Sequence, residues 1–178
     1  MFIKWIVNII GALNSNKKPG ELAAGIAFGI MLALIPTGNL LWPLLLIITM
    51  LLRVHQGMEF LFLAIFKLFI PVFDPALHSL GLAVLSIPAL EGFFTSLYNM
   101  PVVPFLQFNN TLVMGGLVAG IVLWLPLFIL FRILVGIYRN TLKEKVENSK
   151  LVKWFKKLPI VRGLVKLGAR AAKIYGTN

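Results

Sequence analysis

Lys67, Asp74 and His78 are the residues whose types and spacing point most directly to chemistry, because each interrupts a run of apolar side chains. An ionised group at the centre of a membrane helix costs ~2.5–3.5 kcal/mol unless it is paired, hydrated or drawn to an interface. Lys67 lies nine residues into the apolar run that starts at Met58, and Asp74 follows seven residues later on nearly the same helical face. With His78 and Glu91 these groups could line a path for an ion, a proton or a small polar solute. A structural reading stands beside that one. A lysine can pack its stem on apolar surface and carry its ammonium to an interface, and Asp74-Pro75 is also the pattern of an N-cap followed by a first-turn proline. Assembled enzyme chemistry is not in view. There is no Gly-x-Ser-x-Gly elbow, no His-Glu-x-x-His pair, no phosphate-binding glycine loop and no cysteine, so the expectation is a protein without catalytic residues, metal or cofactor.

The elements that must hold these residues are apolar to an unusual degree. Gly92 to Phe131 runs forty residues without a charged side chain, enough to cross a hydrocarbon core of ~30 Å. The chain is 178 residues long, 59% hydrophobic and 13% charged, which leaves too few charges to solvate a globular surface. Its net charge of +11 is concentrated at one end: twelve of the seventeen Lys and Arg residues lie between Arg132 and Lys173, with only Glu144 and Glu147 to offset them. A basic segment tethered beside a membrane meets anionic lipid first, so lipid headgroups rather than nucleic acid are the expected partner.

The fold class expected is an all-α integral membrane protein, with about four transmembrane or re-entrant helices plus amphipathic helices at both ends. Residues 1–16 carry Phe2, Trp5, Ile6, Ile9, Ile10 and Leu13 at helical spacing and read as a retained interfacial helix. The breaker Asn14 to Gly20 opens the membrane domain, 17–140. Runs follow at Leu22–Ile35 and Leu40–Leu52, joined by Pro36-Thr37-Gly38-Asn39, and they are short enough to be either thin spans or a re-entrant hairpin. A third run, Met58–Phe73, leads outward, and a last span, Leu112–Phe131, leads back to Arg132. Between them, the outer region 74–110 has no Lys or Arg and fits short helices and loops, with a further crossing by Leu77–Leu90 left open. The positive-inside rule then puts both termini in the cytoplasm.

Small residues mark where helices approach. Gly25-x-x-x-Gly29 and Gly116-x-x-x-Gly120 each form a smooth stripe, and pairing of the first and last spans through them is the expected use. Asn109 and Asn110 stand before the last span, where Asn110 or Thr111 can cap its free amides, leaving a second Asn for the outer loops, a lipid or a partner. The tail, 141–178, places Lys153, Lys157, Arg162, Lys166, Arg170 and Lys173 among apolar residues at amphipathic spacing, and Pro159 divides it in two. These basic residues are the expected contacts with the lipid surface.

The segments Pro19-Gly20-Glu21-Leu22-Ala23-Ala24-Gly25-Ile26-Ala27-Phe28-Gly29, Asp74-Pro75-x-x-His78-x-x-Gly81 and Phe108-Asn109-Asn110-Thr111-Leu112-Val113-Met114-Gly115 carry a resemblance. Over about residues 15 to 140 the chain resembles an uncharacterised family of small bacterial inner-membrane proteins. The resemblance implies a multi-pass protein of the inner membrane, often encoded beside a large envelope protein similar to the AsmA-like proteins implicated in lipid traffic. The function expected is therefore a non-enzymatic docking platform for such a periplasmic protein. A small transporter or channel built on Lys67, Asp74 and His78 is the alternative.

Overall fold

The computed structural model describes residues 18–142, which leaves the expected N-terminal amphipathic helix and the basic tail, with Lys153, Lys157, Arg162, Lys166, Arg170 and Lys173, outside the described residues. Every regular element among the described residues is helical. Six α-helices follow one another: α1 (Pro19–Leu34), α2 (Leu41–Leu51), α3 (Gln56–Lys67), α4 (Ile70–Leu85), α5 (Glu91–Tyr98) and α6 (Thr111–Ile137). Short 3₁₀ turns at Pro88–Leu90 and Val103–Leu106 flank α5. The chain divides into two units, Met1–Gly136 and Ile137–Asn178, and the second begins with a π-helical turn, Tyr138–Leu142.

α1 is the hub of the first unit. Ten of its sixteen residues are buried inside the protein itself, because its glycines and alanines let neighbours close on several sides. It starts earlier than the breaker suggests: Pro19 and Gly20 belong to the helix, with proline in the first turn, where it lacks only an amide that would have no partner anyway. α3 runs parallel to α1. Gly25 faces the His55 backbone, Gly29 faces that of Glu59 and Leu63, and Ala33 stands level with Lys67. α6 runs antiparallel, with Gly116 against Leu34 and Gly120 against Met31. The two expected stripes are thus both used, but they do not pair with each other: Gly116 and Gly120 meet α1, whereas Gly25 and Gly29 admit α3. The reason is geometric. One narrow helix face accepts one backbone at van der Waals distance, and Gly25 and Gly29 already hold that of α3.

Leu22, Ile26 and Ile30 of α1, Met58 of α3 and Val135 of α6 form one buried cluster. Ring contacts extend it: Phe62 meets Phe131 edge-on at 5.5 Å, and Phe28 meets Trp124 at 5.0 Å. Outward-facing positions are apolar too, among them Ile47 and Leu51 of α2 and Val122, Leu125 and Ile133 of α6. α6 is long and apolar enough to cross a membrane. α3 and α4 qualify only as a bent pair, with an 86° angle at their junction.

That bend corrects the expected single run from Met58 to Phe73. α3 stops at Lys67, and α4 begins at Ile70 with Pro71 in its first turn. A proline at position 71 of a continuous helix would clash with the carbonyl of Lys67 and forfeit an amide, so the chain restarts instead. Asp74-Pro75 correspondingly lies inside α4 and does not start a helix. Lys67 and Asp74 therefore sit on different helices, and the shared face inferred from their spacing is lost.

Candidate functional site

Three groups of polar side chains sit where these helices end or cross. The first closes the end of α1. Its last carbonyls lack helical partners, and side chains from later in the chain replace them. Lys67 Nζ donates to Ala33 O (3.1 Å) and Ile35 O (2.8 Å), Trp42 Nε1 donates to Leu32 O (3.1 Å), and Asn39 Nδ2 donates to Pro36 O (2.8 Å). Asn39 Oδ1 also accepts from the Trp42 amide at 2.9 Å and so caps the start of α2. Lys67 stands at the carbonyl ends of two parallel helices, α1 and its own α3, where the helix dipoles favour a cation. Of the two roles open to Lys67, this geometry supplies the structural one. Asp74 lies near enough to act on Lys67 electrostatically.

The second group joins α4 to α6. Gly81 and Gly115 bring the two backbones together: a Cβ on Gly81 would strike the backbone of Thr111 and Gly115, and one on Gly115 would strike that of Leu77. At the exposed end of this contact His78 Nδ1 and Thr111 Oγ1 are 2.6 Å apart, so His78 faces α6 and not Asp74. Asn110 Oδ1 accepts from the amides of Leu112 (2.9 Å) and Val113 (3.4 Å), the capping role anticipated for it. Asn109 goes elsewhere. It lines a cleft of about 260 Å³ with Leu85, Phe94, Tyr98, Val103 and Phe108.

The cleft is walled by α5 and the loop that returns to α6. Val102 in that loop has φ 80°, a conformation that crowds a β-branched side chain against its own backbone. Its carbonyl accepts from Phe105 N at 3.0 Å, and Phe105 O in turn accepts from Leu40 N at 2.8 Å. The loop before α6 is thereby tied to the α1–α2 turn. Phe93, Tyr98, Met100, Val102 and Phe105 are all exposed around it.

The third group was not anticipated from the sequence. Glu59, on α3, is fully buried at 0% exposure, and Thr49 of α2 reaches it with its hydroxyl at 2.5 Å from Oε1. Near it, His55 Nδ1 caps the start of α3 by accepting from the Met58 amide at 3.1 Å, and Gln56 Nε2 donates to Met50 O at 3.2 Å. The available signal was weak: a lone carboxylate one residue into the Met58–Phe73 run, where an acid also suits the first turn of a helix. Among the described residues, no group of three or more His, Asp or Glu side chains is arranged to hold a metal ion.

Over the described residues the fold and these sites define an all-helical protein with a membrane-crossing candidate in α6 and polar side chains concentrated at helix ends. The chain is 34% identical over 160 residues to an uncharacterized protein of Treponema pallidum (strain Nichols), a match covering 90% of this chain and 99% of the relative. It belongs to the same family as that protein. No family model and no solved structure matches it.

Proposed function

We propose that the chain is a multi-pass protein of the bacterial inner membrane that acts, without catalysis, as a docking platform for a large periplasmic protein of the AsmA-like kind in envelope lipid transport. The observation that carries this reading is the contrast at the outer end. The region between α4 and α6 has no Lys or Arg, exposes Phe93, Tyr98, Met100, Val102 and Phe105, and surrounds an apolar cleft with Asn99 and Asn109 among its lining residues. Exposed apolar surface ringed by a few hydrogen-bonding groups is the composition of a protein-binding patch. The strained Val102 turn supports it, since strain is retained where a surface must be held in one shape. The partner's class comes from the family resemblance.

The alternative, a small transporter or channel using Lys67, Asp74 and His78, loses support from the same geometry. Lys67 is engaged with two helix-end carbonyls, and His78 with Thr111. In this reading both termini face the cytoplasm, and the basic tail lies on anionic lipid. The test combines topology with capture. Single cysteines introduced at Asn99 and Thr177 should react with an impermeant thiol reagent from the periplasmic side at position 99 only. The protein purified in mild detergent should bring down a large envelope protein. Periplasmic labelling at position 177, or the absence of any such partner, contradicts the proposal.

A further inference from the structure

Glu59 takes no part in closing helix ends or in the outer surface, yet its carboxyl group is enclosed where α1, α2 and α3 meet. The hydrogen-bond inventory around it constrains its state. Thr49 Oγ1 lies 2.5 Å from Glu59 Oε1 and 2.9 Å from Leu46 O, and a hydroxyl has a single hydrogen to give. If Glu59 is ionised, that hydrogen goes to the carboxylate, and Thr49 Oγ1 faces Leu46 O lone pair to lone pair. If Glu59 carries a proton, its O–H donates to Thr49 Oγ1 and the Thr49 O–H donates to Leu46 O. Both contacts are then hydrogen bonds.

Glu59 Oε2 gives a second, independent reason. It is buried and meets no donor among the described residues. Leaving a carboxylate oxygen enclosed without a partner costs far more than leaving the carbonyl oxygen of a neutral acid there. The 2.5 Å separation itself fits a short bond of either polarity, so Leu46 O and Oε2 decide the matter.

Among the described residues, the surrounding charges do not supply a counter-ion. α1 brings the backbone of Gly29 against Glu59, and its own acid, Glu21, is in its first turn. α2 brings Thr49, and Arg53 beyond its end is exposed. On α3, His55 holds the Met58 amide one turn before, and Lys67 holds the end of α1 two turns after. On α6, Arg132 lies over the Phe128 ring, 6.0 Å from its centroid. Asp74, on α4, is itself an acid and offers no cation.

We propose that Glu59 and Thr49 form a proton-binding site, in which Glu59 is a neutral acid donating to Thr49 in the folded protein. Release of the proton to water leaves a carboxylate, the Thr49 hydrogen turns from Leu46 O to Glu59 Oε1, and the contact between α2 and α3 loosens around the enclosed charge. The full chain in lipid nanodiscs tests this by infrared spectroscopy at neutral pH. Wild type should show the carbonyl stretch of a protonated carboxyl group. Glu59→Gln should lose that band, and Thr49→Val should shift it. A wild-type spectrum without the band, or a Glu59→Gln spectrum that keeps it and lacks a carboxylate band instead, overturns the proposal. Should Glu59→Gln fail to fold, titration of wild type decides: a band that persists from acid to neutral pH supports the site, and one that vanishes before neutrality refutes it.

Discussion

α1 and α5 are both helices of an apolar chain, yet they are built for opposite surroundings. α1 has ten buried residues and is enclosed by its neighbours, whereas α5 has no buried residue at all. Small side chains make the first possible. Gly25 and Gly29 admit α3, and Ala33 and Ala119 lie in the cluster that packs α1 against α4 and α6. α5 has Phe93, Phe94 and Tyr98 in their place, which hold a neighbouring backbone away and leave a cleft beside them. The difference teaches that polar groups in the first region complete the frame, while the second is left open as a surface. Lys67 is the clearest member of the frame, because its ammonium ends the helix that everything else packs around.

Breaking the frame should have the largest effect. Gly115→Leu puts a side chain where a Cβ already meets the Leu77 backbone, so α4 must leave α6, and the protein should fail to accumulate in a folded form. The milder Gly115→Ala should cost ~1–3 kcal/mol, measured as a loss of thermal stability in detergent. Lys67→Met should come next. It keeps the apolar stem but strips Ala33 and Ile35 of their donor, which costs ~1–3 kcal/mol for carbonyls left unsatisfied. Asn110→Ala removes the cap of α6 and should cost ~1 kcal/mol. Asn110→Asp should restore most of it, since Asp retains the accepting oxygen. At the open surface, Tyr98→Ala and Asn109→Ala should change stability by no more than ~0.5 kcal/mol, and their effect should fall on partner capture.

α6 is legible from composition alone, because a charge-free stretch ahead of Arg132 needs no tertiary information to be read as a long apolar helix. The Asn110 cap is equally local, since donor and acceptor lie within three residues. The same locality explains what is hidden. Lys67 and the carbonyls it holds are 32 and 34 residues apart, so its spacing from Asp74 suggested a shared face that the break after Lys67 abolishes. Pro71 was the visible sign of that break, but the residues between Lys67 and Asp74 are all apolar, with none of the polar capping residues that mark where one helix stops and the next starts. Gly81 and Gly115, legible in the sequence only as motif residues, escaped as packing residues for a related reason: Gly81 stands alone, Gly115 lies beside the stripe that starts at Gly116, and only the crossing of α4 and α6 makes them partners. Glu59, in the first turn of α3, reads from sequence as an ordinary acidic residue complementing a helix start. Its enclosure comes from α1 and α2, which the local pattern does not report.

Frame and surface separate most directly when partner capture and thermal stability are measured on the same two variants, Lys67→Met and Tyr98→Ala, purified in mild detergent from the same membranes. Lys67→Met should melt at a lower temperature yet still bring down the proposed envelope partner, and Tyr98→Ala should melt like wild type but lose it. Loss of the partner in Lys67→Met at unchanged stability, with Tyr98→Ala still binding, would show that Lys67 belongs to the functional surface and contradict the division drawn between the two regions.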